Sequence, residues 1–380
     1  MKLVFASDSF KGTVSSQETI DMLTKAAHEV FGVCDTFGVP VADGGEGTTD
    51  AVVHARKGEK VCVTVHGPLM EPEQAYFGKL SETEAILEMA QASGLSLVPE
   101  KDRNPLNTTT CGTGELVKAA LDAGFTDISI AIGGSATNDG GMGFARALGV
   151  RFLDAAGNEL EGFGRDLELV AEIDVRGLDP RVANTSFTVM CDVTNPLCGE
   201  NGATYTFGKQ KGGTPEILDR LERGMCNYRD VIIRTFGVNP DETQGTGAAG
   251  GLGTALLIFL HAKMRSGIET VLDLIQFDEI LNGADLVVTG EGRTDWQSCF
   301  GKVMQGVGDR AKKHDIPAVG LCGSLGEGYE KIFDHGIDSI VTTVDGPMPL
   351  SEALDQANRL YYQGAIRLFR AVRAGMRLVR

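Results

Sequence analysis

Strand-and-helix alternation occupies the two ends of this chain and is interrupted between them, which restricts the fold to a nested one. At the start, Leu3-Val4-Phe5-Ala6 and Phe37-Gly38-Val39-Pro40-Val41 are short apolar runs of the kind that form buried parallel strands. Ser15-Ser16-Gln17-Glu18 is a capping-box sequence that predicts a helix running to about Phe31, and Thr48 to Arg56 predicts a second. The same alternation returns at Asp285–Thr289, Ala318–Cys322 and Ser339–Thr342, and a helix over roughly Ser351 to Ala374 closes the chain. Parallel strands of one sheet need no sequence continuity, so the two ends are expected to share it.

Between the ends the pattern changes. Val61–Val65 and Glu73–Leu80 read as a hairpin about Gly67-Pro68, and Glu84–Met89 as a third strand. Helices are expected at Gly114–Ala123, from about Pro215 to Phe236 and, Gly-rich at its start, from about Ala248 to Met264; strands are expected at Asp127–Ile132 and Phe187–Cys191. The fold class is therefore α/β with two domains. A five-stranded parallel sheet of the flavodoxin or Rossmann type is assigned to residues 1–66 plus 283–380, and an inserted mixed α/β domain to residues 67–282. The active site is expected in the cleft between them.

The 380 residues carry a formal charge of −17, which argues against nucleic acid and anionic membranes as partners, because both demand a basic field. No apolar stretch approaches a membrane span and no leader pattern opens the chain, so the expected compartment is cytoplasmic. The eight cysteines show no CxxC spacing and read mostly as small buried hydrophobes in a reducing environment. No Cys/His cluster of zinc-site spacing is visible around the six histidines.

The chemistry concentrates in polar loops that follow strands. These are Ser7–Gly12, Ala42–Gly47, Gly133–Gly143 and Thr289–Asp295, bearing Asp8, Asp43, Glu46, Asp139, Glu291 and Asp295. Acids there can ligate Mg²⁺, accept a hydroxyl proton, or pair with Lys11 and Arg293. The Gly133–Gly143 loop precedes a helix expected near Met142, a setting in which free N–H groups favour a phosphate. Asp192 ends a strand and is a candidate base, metal ligand or turn cap. Lys209 and Lys211 beside glycines suit a phosphate clamp as well as a solvated turn. Gly245-Thr246-Gly247-Ala248-Ala249-Gly250 fits G-x-G-x-x-G, but no strand precedes it, so a dinucleotide site is disfavoured and a Gly-rich helix start close to a ligand is the better reading. A Walker-type P-loop is absent from the sequence.

Several of these blocks, in order, resemble the bacterial class I glycerate kinase family over essentially the full length. They are Asp8–Gly12, Val41–Thr48, Ile132–Gly141, Cys191–Leu197, Phe207–Gly212, Gly247–Gly253, Thr289–Asp295 and Gly301–Val303. Lys209 departs from the pattern, where proline is expected, and so do Trp296 and Cys299. The resemblance implies ATP-dependent, Mg²⁺-assisted phosphorylation of D-glycerate, generally at the 2-hydroxyl. Phosphorylation at the 3-hydroxyl and a sugar-acid binding protein with weak turnover are the alternatives. For such a reaction Lys11, Arg293 or the Asp8–Gly12 backbone would grip the substrate carboxylate, with Ser9, Glu291 and Asp295 completing the substrate site. Asp43 and Glu46, or Asp192, would bind the metal or take the hydroxyl proton, which makes Lys11, Asp43 and Asp192 the candidate catalytic residues. Gly133, Gly134, Ser135, Thr137, Asn138 and Lys211 would cradle ATP. A monomer or homodimer is expected.

Overall fold

The structure, a computed structural model, describes residues 1–10 and 12–378; Lys11 lies outside them. In chain order the elements that position the site are β1 (Lys2–Phe5), α1 (Ser16–Phe31), β2 (Asp35–Gly38), α2 (Thr48–Arg56), β3 (Glu59–His66), β4 (Pro72–Lys79), β5 (Glu84–Glu88), α3 (Cys111–Asp122) and β6 (Asp127–Ala131). They continue with β7 (Ser186–Met190), α4 (Pro215–Phe236), α5 (Ala248–Leu260), β8 (Lys263–Arg265), β9 (Leu286–Thr289), α6 (Val303–Lys313), β10 (Ala318–Cys322), β11 (Ser339–Thr342) and α7 (Ala357–Gly375).

The chain divides into two units. The first holds Met1–Asp43, His54–Arg56 and Gly267 onward; the second holds Gly44–Val53 and Lys57–Ser266. In the first, five all-parallel strands lie in the order β11-β10-β9-β1-β2, so the two ends of the chain do build one sheet. Leu3 pairs with Leu286 and Phe5 with Val288, which buries β1 between β9 and β2. Alternation sends Leu3, Phe5, Leu286, Val288 and Leu321 to one face, where they meet Ile20 and Leu23 of α1 and Tyr361 and Phe369 of α7. Val4 and Val287, pointing the other way, are also fully buried, which is why these strands read as continuous apolar runs.

Three expectations need correction here. The second strand stops at Gly38, not Val41: Val39 N–H still reaches Phe5 O at 2.9 Å, but Pro40 has no N–H to continue the ladder. The closing helix is two, Leu350–Asp355 and α7. The expected boundary at residue 66 also differs from the division observed, because β3 pairs with β4 along its whole length from Glu59–Lys79 to His66–Pro72 and so belongs to the second unit.

The second unit is built on a six-stranded mixed sheet, β8-β7-β6-β5-β4-β3. β5 to β8 run parallel, and the β3–β4 hairpin closes one side antiparallel. The strand β8 was not foreseen: the helix expected to reach Met264 ends at Leu260, His261 turns left-handed (φ 51°), and Lys263–Arg265 pairs with β7. One core joins Leu87, Ile128, Ile130 and Val189 of the sheet to Leu116 and Val117 of α3, Met225 and Tyr228 of α4, and Leu252 and Leu256 of α5.

Candidate functional site

In the second unit the sequence-assigned residues gather at the carboxyl ends of the parallel strands, where open α/β sheets bind ligands. The Gly133–Asn138 loop leaves β6, Asp192 follows β7, and Glu88 ends β5. Gly133 stands against the Gly44–Gly47 segment of the same unit, since a Cβ there would come within 3.2 Å of Gly45 Cα. Glu88, only 2% exposed, holds that segment in place: its carboxylate accepts Gly47 N–H at 3.2 Å and Thr49 N–H at 2.5 Å, across the start of α2. Burial raises its pKa, and the two amides offset part of the rise. Sequence reading passed over Glu88 as a strand residue; the available signal was a charge ending an apolar run.

Among the described residues of the second unit, Lys211 is the lysine that is buried. It is 2% exposed, and its ammonium donates to Ser135 Oγ at 2.8 Å and Thr137 O at 2.7 Å, both neutral acceptors. Burial lowers its pKa to about 7, against the opposing pull of Asp139. Beside it Thr137 Oγ1 and Asn138 Oδ1 are buried without a hydrogen-bond partner among the described residues. A buried ammonium with neutral partners, next to unused polar atoms, fits an anionic ligand. Lys209, by contrast, is exposed.

The helix N-terminus at Met142 proves closed to a ligand. Fully buried Asp139 accepts Thr110 N–H and Oγ1–H at 2.7 Å each, Gly141 N–H at 3.1 Å and Gly143 N–H at 3.2 Å. The N–H donors of Gly141 and Gly143, at the start of that helix, are therefore spent on this side chain, which knits the loop to the start of α3. Burial outweighs them and raises its pKa.

The G-x-G-x-x-G segment has a similar structural explanation. Ala249, Gly250 and Gly251 are left-handed, and a Cβ on Gly250 would stand 2.0 Å from Thr137 O. Gly250 O accepts Gly140 N–H at 3.0 Å. The glycines let α5 press backbone to backbone on the 137–140 loop, so they shape the candidate site from behind.

In the first unit Asp8 and the Thr289–Asp295 loop come together. Asp8 N–H donates to Gly290 O at 2.9 Å, and Asp8 Oδ1 accepts Ser9 N–H at 2.7 Å. Glu291, 7% exposed, accepts Ser298 Oγ–H at 2.5 Å; burial raises its pKa, with Lys302 opposing and Asp8 adding to the rise. Arg293 is exposed and pairs with Asp295 at 3.4 Å, while Asp295 caps the Trp296–Cys299 turn through Gln297 N–H. Asp43 is half-buried, and Glu46 and Asp192 are exposed.

Among the described residues, two groups of three His, Cys, Asp or Glu side chains have ligand atoms within 4.8 Å of one another: His66, Cys111 and Glu115, and Cys198, Glu222 and Cys226. Neither includes Asp43, Glu46 or Asp192. Sequence spacing showed no such cluster because each draws on segments far apart in the chain.

A model of the glycerate kinase family matches residues 3–373. The chain belongs to the glycerate kinase family. Within it, the chain is 46% identical to a glycerate kinase of Bacillus subtilis (strain 168), with 94% of each protein covered, and 44% identical to a glycerate 2-kinase of Escherichia coli (strain K12), with 93% of each covered. It also matches the crystal structure of a protein designated glycerate kinase 2 from Salmonella typhimurium LT2, with TM-score 0.89, 43% identity and 99% of each chain covered. A glycerate kinase family member is a kinase, for which ATP is the co-substrate. Among the described residues no helix is long and apolar enough to cross a membrane.

Proposed function

We propose that this kinase transfers the γ-phosphoryl group of ATP to the 2-hydroxyl of D-glycerate. The observation that carries the phosphate-binding half of the reading is the buried Lys211 ammonium, held on Ser135 and Thr137 at the end of β6. The buried polar atoms of Thr137 and Asn138 offer further contacts to the same ligand. Phosphoryl transfer leaves little covalent work for a protein: it must hold the phosphates, align the hydroxyl and neutralise the charge that develops. Gly133, Gly134, Ser135, Thr137, Asn138 and Lys211 are assigned to the nucleotide.

Asp8, Ser9 and the Glu291–Asp295 loop are assigned to glycerate, with Arg293 the described cation best suited to its carboxylate. Asp43 and Asp192 are the candidates to accept the hydroxyl proton. Glu46, Asp43 and Asp192 are all carboxylates, the donor type Mg²⁺ takes, and one or two suffice alongside ATP. When bound, Mg²⁺ would shield the phosphate charge.

The test is ADP release with D-glycerate, combined with phosphorus NMR of the product. A 2-phosphate is expected. Asp43→Asn and Asp192→Asn should lower kcat at least about 100-fold with the fold intact. A 3-phosphate product would overturn the regiochemistry, and near-native turnover in both variants would overturn the acid assignment.

A further inference from the structure

Outside the residues assigned to the reaction, two cysteines and a buried acid stand together in the second unit. Glu222 and Cys226 lie one turn apart on α4, and Cys198 comes from the loop after β7. Glu222 is 9% exposed and Cys198 is 6% exposed. One oxygen of the acid, Oε1, accepts Gly199 N–H at 2.6 Å and lies 3.7 Å from Cys226 Sγ. The other, Oε2, is buried with no hydrogen-bond partner among the described residues. A ligand atom from each of the three residues falls within 4.8 Å of the others.

An unpartnered carboxylate oxygen beside two thiols lacks a proton donor or a cation. We propose that Cys198, Glu222 and Cys226 bind a thiophilic divalent cation of the zinc class, which ties the loop after β7 to α4. Binding releases two S–H protons to solvent, forms two metal–sulfur bonds and one metal–oxygen bond, and leaves a fourth position for water. Zinc–sulfur bonds of about 2.3 Å put tetrahedral sulfurs ~3.8 Å apart, so the cluster needs to contract by an ångström or so at most.

The surroundings suit that charge. Three anionic ligands around a dication leave one net negative charge, and Arg229 lies nearby, paired with Asp230 at 2.8 Å and Asp241 at 3.2 Å. Asp241 also accepts Cys198 N–H at 3.0 Å, which fixes the backbone of that ligand. Thiolates select zinc over magnesium, so this site is chemically distinct from one that serves a nucleotide. The His66–Cys111–Glu115 group is a weaker candidate because Glu115 is already engaged with His66, at 2.8 Å to Nδ1 and 2.7 Å to N–H.

The test strips the full-length protein of metal with a chelator and titrates it with Co²⁺, then Zn²⁺. A thiolate-to-cobalt charge-transfer band should appear, be displaced by zinc, vanish in Cys198→Ser and Cys226→Ser, weaken in Glu222→Gln and persist in Cys111→Ser. X-ray absorption at the zinc edge of the unmodified protein should find two sulfur neighbours, a readout independent of whether a variant folds. Absence of the band, its loss in Cys111→Ser alone, or a shell with fewer than two sulfurs overturns the proposal. So does recovery of a 198–226 disulfide from the zinc-treated protein.

Discussion

Lys211, in the turn over residues 209–211, and Asp139, in the Gly133–Gly143 loop, are both buried ionisable groups, yet their surroundings give them different roles. Lys211 has only neutral acceptors and a pKa near 7, so its native form binds fewer protons than the unfolded chain between about pH 7 and the usual lysine range. The burial penalty is fully present below about pH 7, and its relief adds stability as pH rises above that value. An anion at the ammonium would restore its ordinary pKa, so ATP binding at pH 8 should take up about one proton. Calorimetry in buffers of different ionisation enthalpy measures this directly, and Lys211→Met should abolish the uptake. Asp139 instead has four donors. Asp139→Asn turns one acceptor oxygen into a donor facing donors, and should lower stability by about 2–4 kcal/mol in urea melts. Loss of ATP affinity without loss of stability would show that Asp139 serves the ligand instead.

At the scale of elements, what was legible in the sequence was local. The Ser15 capping box is formed as its residues demand: Glu18 N–H donates to Ser15 Oγ at 3.2 Å, and Ser15 N–H to Glu18 at 2.8 Å. The long helix α4 starts at Thr214-Pro215 and ends on left-handed Gly237, all readable from a few residues. The strand-following loops were legible too, including Gly133–Asn138, because apolar runs ending in glycine and acid mark sheet edges. The residues missed depend on partners distant in sequence. Glu88 anchors a loop about forty residues earlier in the chain, Asp139 closes a helix start that looked open, and α5 breaks where it meets residues 137–140. That last contact makes a prediction for an element. Gly250→Ala puts a methyl 2.0 Å from Thr137 O at a φ of +68°, so it should cost several kcal/mol in denaturant melts and weaken ATP binding together. An ATP affinity that stays native would separate the α5 packing from the site.

For the whole molecule, the decisive fact is that β1 lies between β2 and β9, and its partners Leu286 to Val288 are made almost three hundred residues later. Loop closure over such a separation grows only slowly in free energy, but long-range pairing lowers folding rate. The sheet of the second unit pairs β5 with β6 and β6 with β7 within one continuous stretch of chain, Lys57–Ser266. Its core can form while the first unit still lacks its central strand pair. In refolding from denaturant, pulse-labelled hydrogen exchange should therefore protect amides of Ile128–Ile130 and Phe187–Val189 before those of Leu3–Phe5 and Leu286–Val288. The two ends carry the Asp8 and Glu291 loops, so glycerate-dependent turnover should recover with the later phase and not with the earlier one. Simultaneous protection of all four segments would mean that both sheets form in one cooperative step, and earlier protection of Leu3–Phe5 and Leu286–Val288 would reverse the order that the topology implies.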